Sequence, residues 1–109
     1  MDIVTFDEFK KLDIRSATVL EVTEHPDADR LYVLKIDLGT ETRQIVAGIR
    51  LFYTKEELIG KNIVVITNLE PRAIRGIESN GMLLAVHDES GGVFVVTSDK
   101  PVKAGSVVS

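Results

Sequence analysis

Cysteine and tryptophan are absent, and only two histidines and three prolines occur in 109 residues. Without cysteine there are no disulfide staples, no thiolate zinc sites and no thiol redox centres. Two isolated histidines leave almost nothing for an imidazole-based metal centre, so neither a metal nor any other cofactor is expected. No apolar run approaches the roughly 18 residues that a membrane-spanning helix needs. Residues Met1 to Lys11 carry three acids and no apolar block, so no secretory signal is visible and a cytoplasmic location is expected. Aromatic residues make up 6% of the chain, which argues against a single-strand reader built on rows of stacking rings.

What is present amounts to one ordinary globular unit, 44% hydrophobic and 28% charged, and residues 1–109 read as a single domain. The formal net charge is −4, which counts against a polyanion partner. The distribution softens that objection. Residues 1–30 hold four basic and eight acidic side chains, residues 31–76 seven and five, and residues 77–109 two and four. A polyanion site is therefore sought in the middle of the chain.

Thr5 with Glu8, and Thr54 with Glu57, have the spacing of capping boxes, which predicts two short helices. Phe6, Phe9 and Leu12 follow the first cap at spacings of three and would share a face. Most other segments read as strand: Ile14 to Val22, Leu31 to Leu38, Arg43 to Ala47, Asn62 to Thr67, Gly81 to Val86 and Val93 to Thr97. The last two are joined by Asp88-Glu89-Ser90-Gly91-Gly92, a hairpin loop by composition. Three strands, one helix and two more strands give the element order of an OB-fold. The expectation is an all-β, five-stranded barrel with an added C-terminal hairpin strand and two short helices.

Catalytic signatures fail one by one. A calcium loop starting at Asp27 would need Gly and Glu where Tyr32 and Leu38 stand. Residues His25 to Asp29 read instead as a turn, with Pro26 fixing φ. There is no Gly-x-Ser-x-Gly, and Gly91-Gly92 is not followed by the Lys-Ser or Lys-Thr of a phosphate loop. No enzyme is expected from these residues. The informative stretch is Asn68 to Met82, which lies where an OB-fold has its ligand-contacting loop. Arg72 and Arg75 suit phosphate oxygens or base stacking, with Asn68, Ser79 and Asn80 adding neutral hydrogen-bonding groups. They suit equally a solvated loop in which the two arginines pair with Glu70 and Glu78. Lys35 and Arg43, on neighbouring strands, would extend a phosphate track or simply face solvent. Tyr32 and Tyr53 read as packing residues.

Three ordered motifs decide between these alternatives. They are His25-Pro26-Asp27-Ala28-Asp29-Arg30-Leu31-Tyr32, then Ile45-Val46-Ala47-Gly48-Ile49, then Asn68-Leu69-x-Pro71-Arg72-x-x-Arg75-Gly76-x-x-Ser79-x-Gly81-Met82. With Asp13-Ile14-Arg15 near the start, the chain resembles the tRNA-binding domain family along essentially its whole length. That family contains free-standing structure-specific tRNA-binding proteins, the domain of methionyl-tRNA synthetases, and a secretion-related chaperone branch. The resemblance implies a non-catalytic OB-fold module, tRNA as partner, a homodimer, and a possible association with an aminoacyl-tRNA synthetase. Residue by residue it assigns RNA contact to Asn68, Arg72, Arg75, Ser79, Asn80 and Met82; for Met82 the family position is the whole argument. The family often has Lys where Glu70 and Ala73 stand and Gln where Asn80 stands. Ser79 to Met82 keep a pattern that the chaperone branch usually lacks, which favours tRNA over the alternative of peptide binding. The same resemblance puts Phe6, Phe9, Leu12, Val102 and Val107 in the dimer interface, because both chain ends carry apolar side chains that a barrel of this size has little room for.

Overall fold

Both capping boxes form in the computed structural model, which describes residues 1–109. The Thr5 hydroxyl accepts from the Glu8 N–H at 3.1 Å while the Glu8 carboxylate accepts from the Thr5 N–H at 3.2 Å. Thr54 and Glu57 repeat the exchange at 3.2 and 2.9 Å. Each box starts a single helical turn, α1 (Phe6–Phe9) and α2 (Lys55–Leu58). α2 anchors itself through Leu58, which is fully buried, whereas α1 buries none of its residues. Leu12 lies beyond the end of α1, so the expected stripe is held by one turn and its frayed continuation. Neither helix is long or apolar enough to cross a membrane.

The strands are β1 (Ile14–Glu24), β2 (Tyr32–Asp37), β3 (Thr42–Ala47), β4 (Asn62–Ile66), β5 (Arg72–Ile74), β6 (Ile77–Ser79), β7 (Met82–Leu83), β8 (Ala85–His87), β9 (Val93–Val95) and β10 (Val107–Val108). Five of them run in the order β3-β2-β1-β4-β7, every pair antiparallel. This is a nearly closed, OB-like barrel, all-β as expected. The eleven-residue β1 pairs through its first half with β4 and through its second half with β2. A bulge between Val19 and Glu21 bends it between the two partners. The extra residue also resets the alternation. Ala17, Val19 and Val22 all face inward although Val19 and Val22 are three apart, and Leu20 is left exposed. Leu34, Ile36, Ile45, Ile49, Ile63 and Val65 complete the core.

Three expectations change. The segment 81–86 is not one strand: Leu84 interrupts it, so β7 closes the barrel on β4 while β8 pairs with β9 as a separate hairpin. The 68–82 stretch is not an open loop, because β5 and β6 form a hairpin inside it. The C-terminal tail has a backbone place of its own, β10 pairing with the start of β1 (Ile14 opposite Val108, Arg15 opposite Val107). Tyr32 and Tyr53 pack as read, the Tyr32 hydroxyl donating to the Tyr53 carbonyl at 2.8 Å.

Candidate nucleic-acid interface

The β5–β6 hairpin turns on Arg75-Gly76, whose φ angles are 52° and 87°. Two successive positive φ values define the type I′ turn that matches strand twist, and glycine suits its second position. An arginine at the first position costs about 1 kcal/mol in backbone strain, so something must hold it there. The hold comes from the 25–31 turn. One Arg75 Nη donates to the Asp27 carbonyl at 2.9 Å. His25, 2% exposed, sits beneath the pair, with Nε2 3.0 Å from the Ile74 carbonyl and Nδ1 accepting from the Asp27 N–H at 3.0 Å. Acceptance at Nδ1 assigns the ring proton to Nε2, which then donates to Ile74. The His-Pro-Asp segment is thus a splint for the hairpin tip as well as a turn. Sequence reading missed this role of His25, for which a histidine beside a turn proline was the available signal.

At its other end the hairpin is sewn to the edge of β3. The Ser79 hydroxyl accepts from the Val46 N–H at 2.9 Å and donates to the Gly81 carbonyl at 3.0 Å. The Asn80 N–H donates to the Gln44 carbonyl at 2.9 Å, and the Gln44 amide donates to the Glu78 carbonyl at 2.9 Å. Asn68 is committed as well: its Oδ1 accepts from the Asp13 N–H at 2.8 Å and its Nδ2 donates to the Lys11 carbonyl at 2.6 Å. Asn68 and Ser79 therefore shape the surface from within. Arg72, Arg75 and Met82 are exposed, and Asn80 is half-buried.

Neither Arg72 nor Arg75 forms an ion pair, and Glu78 lies opposite Ala73 in the hairpin register. The alternative of an arginine pair neutralised by Glu70 and Glu78 is not what forms. Three other arginines and one lysine are neutralised. Arg15 pairs with Asp13 (2.9 Å), Arg43 with Glu41 (2.6 Å), and Glu24 receives both Arg50 (2.7 Å) and Lys55 (3.2 Å). The Thr67 hydroxyl, donating to the Asp13 carboxylate, holds that group below the usual carboxylate range; burial opposes this, and Arg15 and Arg43 add to the lowering. Lys35 and Arg43 do not share a face. Lys35 stands opposite Gln44, on the outer side, whereas Arg43 stands opposite the buried Ile36 and turns to the Thr67 carbonyl at the barrel end. Residues paired in register share a face and successive residues along a strand alternate, so the Lys35–Gln44 and Ile36–Arg43 pairs fall on opposite faces.

Known proteins resemble this chain in sequence and fold. Residues 14–107 match the family described as "Putative tRNA binding domain". The chain is 54% identical over 106 residues to a methionine–tRNA ligase of Thermococcus kodakarensis, a match covering 97% of this chain and 14% of that one. A methionine–tRNA ligase of Pyrococcus horikoshii is 47% identical over 108 residues, 99% of this chain and 15% of its own. The chain thus spans about one-seventh of the length of the curated relatives it matches. Among solved structures, a MetRS-related protein from Pyrococcus horikoshii superposes with a TM-score of 0.92 at 33% identity, covering 99% of both chains. The chaperone CsaA of Bacillus anthracis superposes at 0.89 with 30% identity, covering 99% of this chain and all of the other. Sequence and fold agree, and the chain belongs to the tRNA-binding domain family.

Proposed function

We propose that residues 1–109 form one non-catalytic domain that binds folded tRNA as a homodimer, in the cytoplasm, alone or as an accessory of methionyl-tRNA synthetase. The observation that carries this reading is the β5–β6 hairpin, a pinned turn that presents Arg72 and Arg75 without carboxylate partners. Folded RNA buries its major-groove edges, so recognition rests on phosphate positions and shape. Arg72, Arg75, Asn80 and Met82 make the contacts in this reading, with Lys35 beside them on the outer face of β2. Asn68, Ser79 and Arg43 act indirectly, by fixing the backbone behind that surface. The experiment is a titration of tRNA against wild type and Arg72→Ala at several salt concentrations. Loss of one phosphate contact lowers the salt slope by about 1. Equal competition by an unstructured RNA of the same length would turn the reading into a generic single-strand binder.

Dimerisation is supported by apolar surface that the barrel does not use. Phe6 is 71% exposed and Val107 67%, with Phe9, Leu12 and Val102 near two-fifths. A second reading, peptide binding, is favoured by the likeness to the chaperone and by an apolar groove of about 330 Å³ where β3 faces β7 and β8. Capture of an unfolded polypeptide with no affinity for tRNA would establish it in place of the first.

A further inference from the structure

Arg30 belongs to none of the clusters discussed above, yet its surroundings are built. It lines a groove of about 450 Å³ with Asp27, Ala28, Asp29, Leu31 and Arg75. Like Arg75 it forms no ion pair, although two carboxylates line the same groove. The turn beneath it is asymmetric in its hydrogen bonding. The Asp27 carbonyl accepts from Arg75, the Ala28 carbonyl from the Leu31 N–H and from Arg50, and the Arg30 carbonyl from the Arg50 N–H. The N–H groups of Ala28, Asp29 and Arg30 donate to no protein group. Three backbone donors beside the groove are therefore free for an anion, while of the four carbonyls of residues 27–30 only that of Asp29 is unused. Arg50 braces it from behind and is itself neutralised by Glu24 at 2.7 Å.

We propose that Arg30 and Arg75 form a second phosphate subsite, between the 27–31 turn and the tip of the β5–β6 hairpin, that takes a phosphodiester of the bound RNA. The inference rests on the tRNA-binding reading of the hairpin and adds the residue and place at which the backbone continues past it. Asp27 and Asp29 penalise a free anion, so the subsite works for a phosphate delivered at high effective concentration by RNA already held at Arg72. Inorganic phosphate alone is expected to leave it unfilled. His25 contributes by fixing the two sides of the groove relative to each other, through Ile74 on the hairpin and Asp27 on the turn.

The test is a tRNA titration over a salt series with wild type, Arg30→Ala, Arg30→Lys, Arg75→Ala, Arg72→Ala and the double variant Arg30→Ala/Arg75→Ala. Lys100→Ala, in the β9–β10 connection, controls for loss of one exposed charge. Arg30→Ala is expected to weaken binding about tenfold and to lower the salt slope by about 1, with Arg30→Lys recovering the slope but only part of the affinity. The double variant should lose less than the product of its single losses, because two groups on one phosphate are not independent. Arg30→Ala behaving like wild type or like Lys100→Ala while Arg72→Ala weakens binding would overturn the subsite and leave the hairpin reading intact. If Arg72→Ala and Arg30→Ala both bind as wild type does, the hairpin reading fails and the subsite fails with it.

Discussion

His25 and Asp13 are two side chains whose hydrogen bonds cross between distant parts of the chain, and each has a measurable consequence. Replacing His25 by Ala removes its donor from the Ile74 carbonyl, leaves the Asp27 N–H without a partner and opens a buried space. A loss of about 2 kcal/mol in denaturant-derived stability is expected, with amide exchange accelerating at residues 72–79 before it does in β1 and β4. Uniform acceleration through the barrel would make His25 an ordinary core residue. Asp13 tests the other end of the chain. Its carboxylate lies below its ordinary value of 3.8 chiefly because the Thr67 hydroxyl donates to it. The stability it adds is therefore fully present above that value and is lost as pH falls through the lower, folded-state value. Asp13→Asn should cost up to about 1 kcal/mol at pH 7, solvent screening included, and the gap to wild type should close as the pH falls through the lowered value. Little of this was legible beforehand. Motif spacing singled out Asn68 and Ser79, but a sequence does not say whether an amide or hydroxyl points at a ligand or at its own backbone.

Among the elements, local chemistry was the legible part and long-range pairing was not. Both capping boxes are set by residues three apart, and both formed. The bulge in β1, the break at Leu84 and the β10 pairing depend on partners tens of residues away, so alternation alone could not show them. The two caps should nevertheless differ in worth. Thr54→Ala frees a helix whose Leu58 is buried in the core, and about 1 kcal/mol of stability should go with it. Thr5→Ala releases a helix that buries nothing in its own barrel, so the monomer's stability should barely move. The glycines give a second contrast. Gly76 has open space around its missing Cβ, so Gly76→Ala is expected to cost about 1 kcal/mol from φ alone. At Gly105, which donates to the Ser16 carbonyl at 2.8 Å, an added Cβ would lie 2.2 Å from the Leu38 carbonyl oxygen. Gly105→Ala should therefore displace the tail and β10 from β1, seen as a larger drop in thermal midpoint than Gly76→Ala gives.

On the scale of the whole molecule, a net charge of −4 and a short basic hairpin are in tension. A single copy offers one hairpin with two unpaired arginines, and Arg30 beside its tip, to a polyanion, set on an acidic body. A two-fold dimer offers two such hairpins at a fixed separation, and linked sites gain in affinity by effective concentration without any new contact. The surface available for that interface is the exposed apolar surface of α1, with Phe6 and Phe9, and of the tail that carries Val102 and Val107. Asn68 ties the segment after α1 to the approach to the hairpin through its bonds to Asp13 and Lys11. Light scattering at micromolar concentration should return twice the 12.0 kDa chain mass. Phe9→Glu places a charge in the apolar stripe and should shift the population to monomer, with the barrel's own unfolding midpoint unchanged because Phe9 contributes nothing to the core. Affinity for tRNA should fall about tenfold or more in the same variant, in step with the monomer fraction. A wild-type chain that remains monomeric and still binds tightly would remove the dimer, and the single hairpin with its neighbouring turn would then have to account for the whole of the affinity.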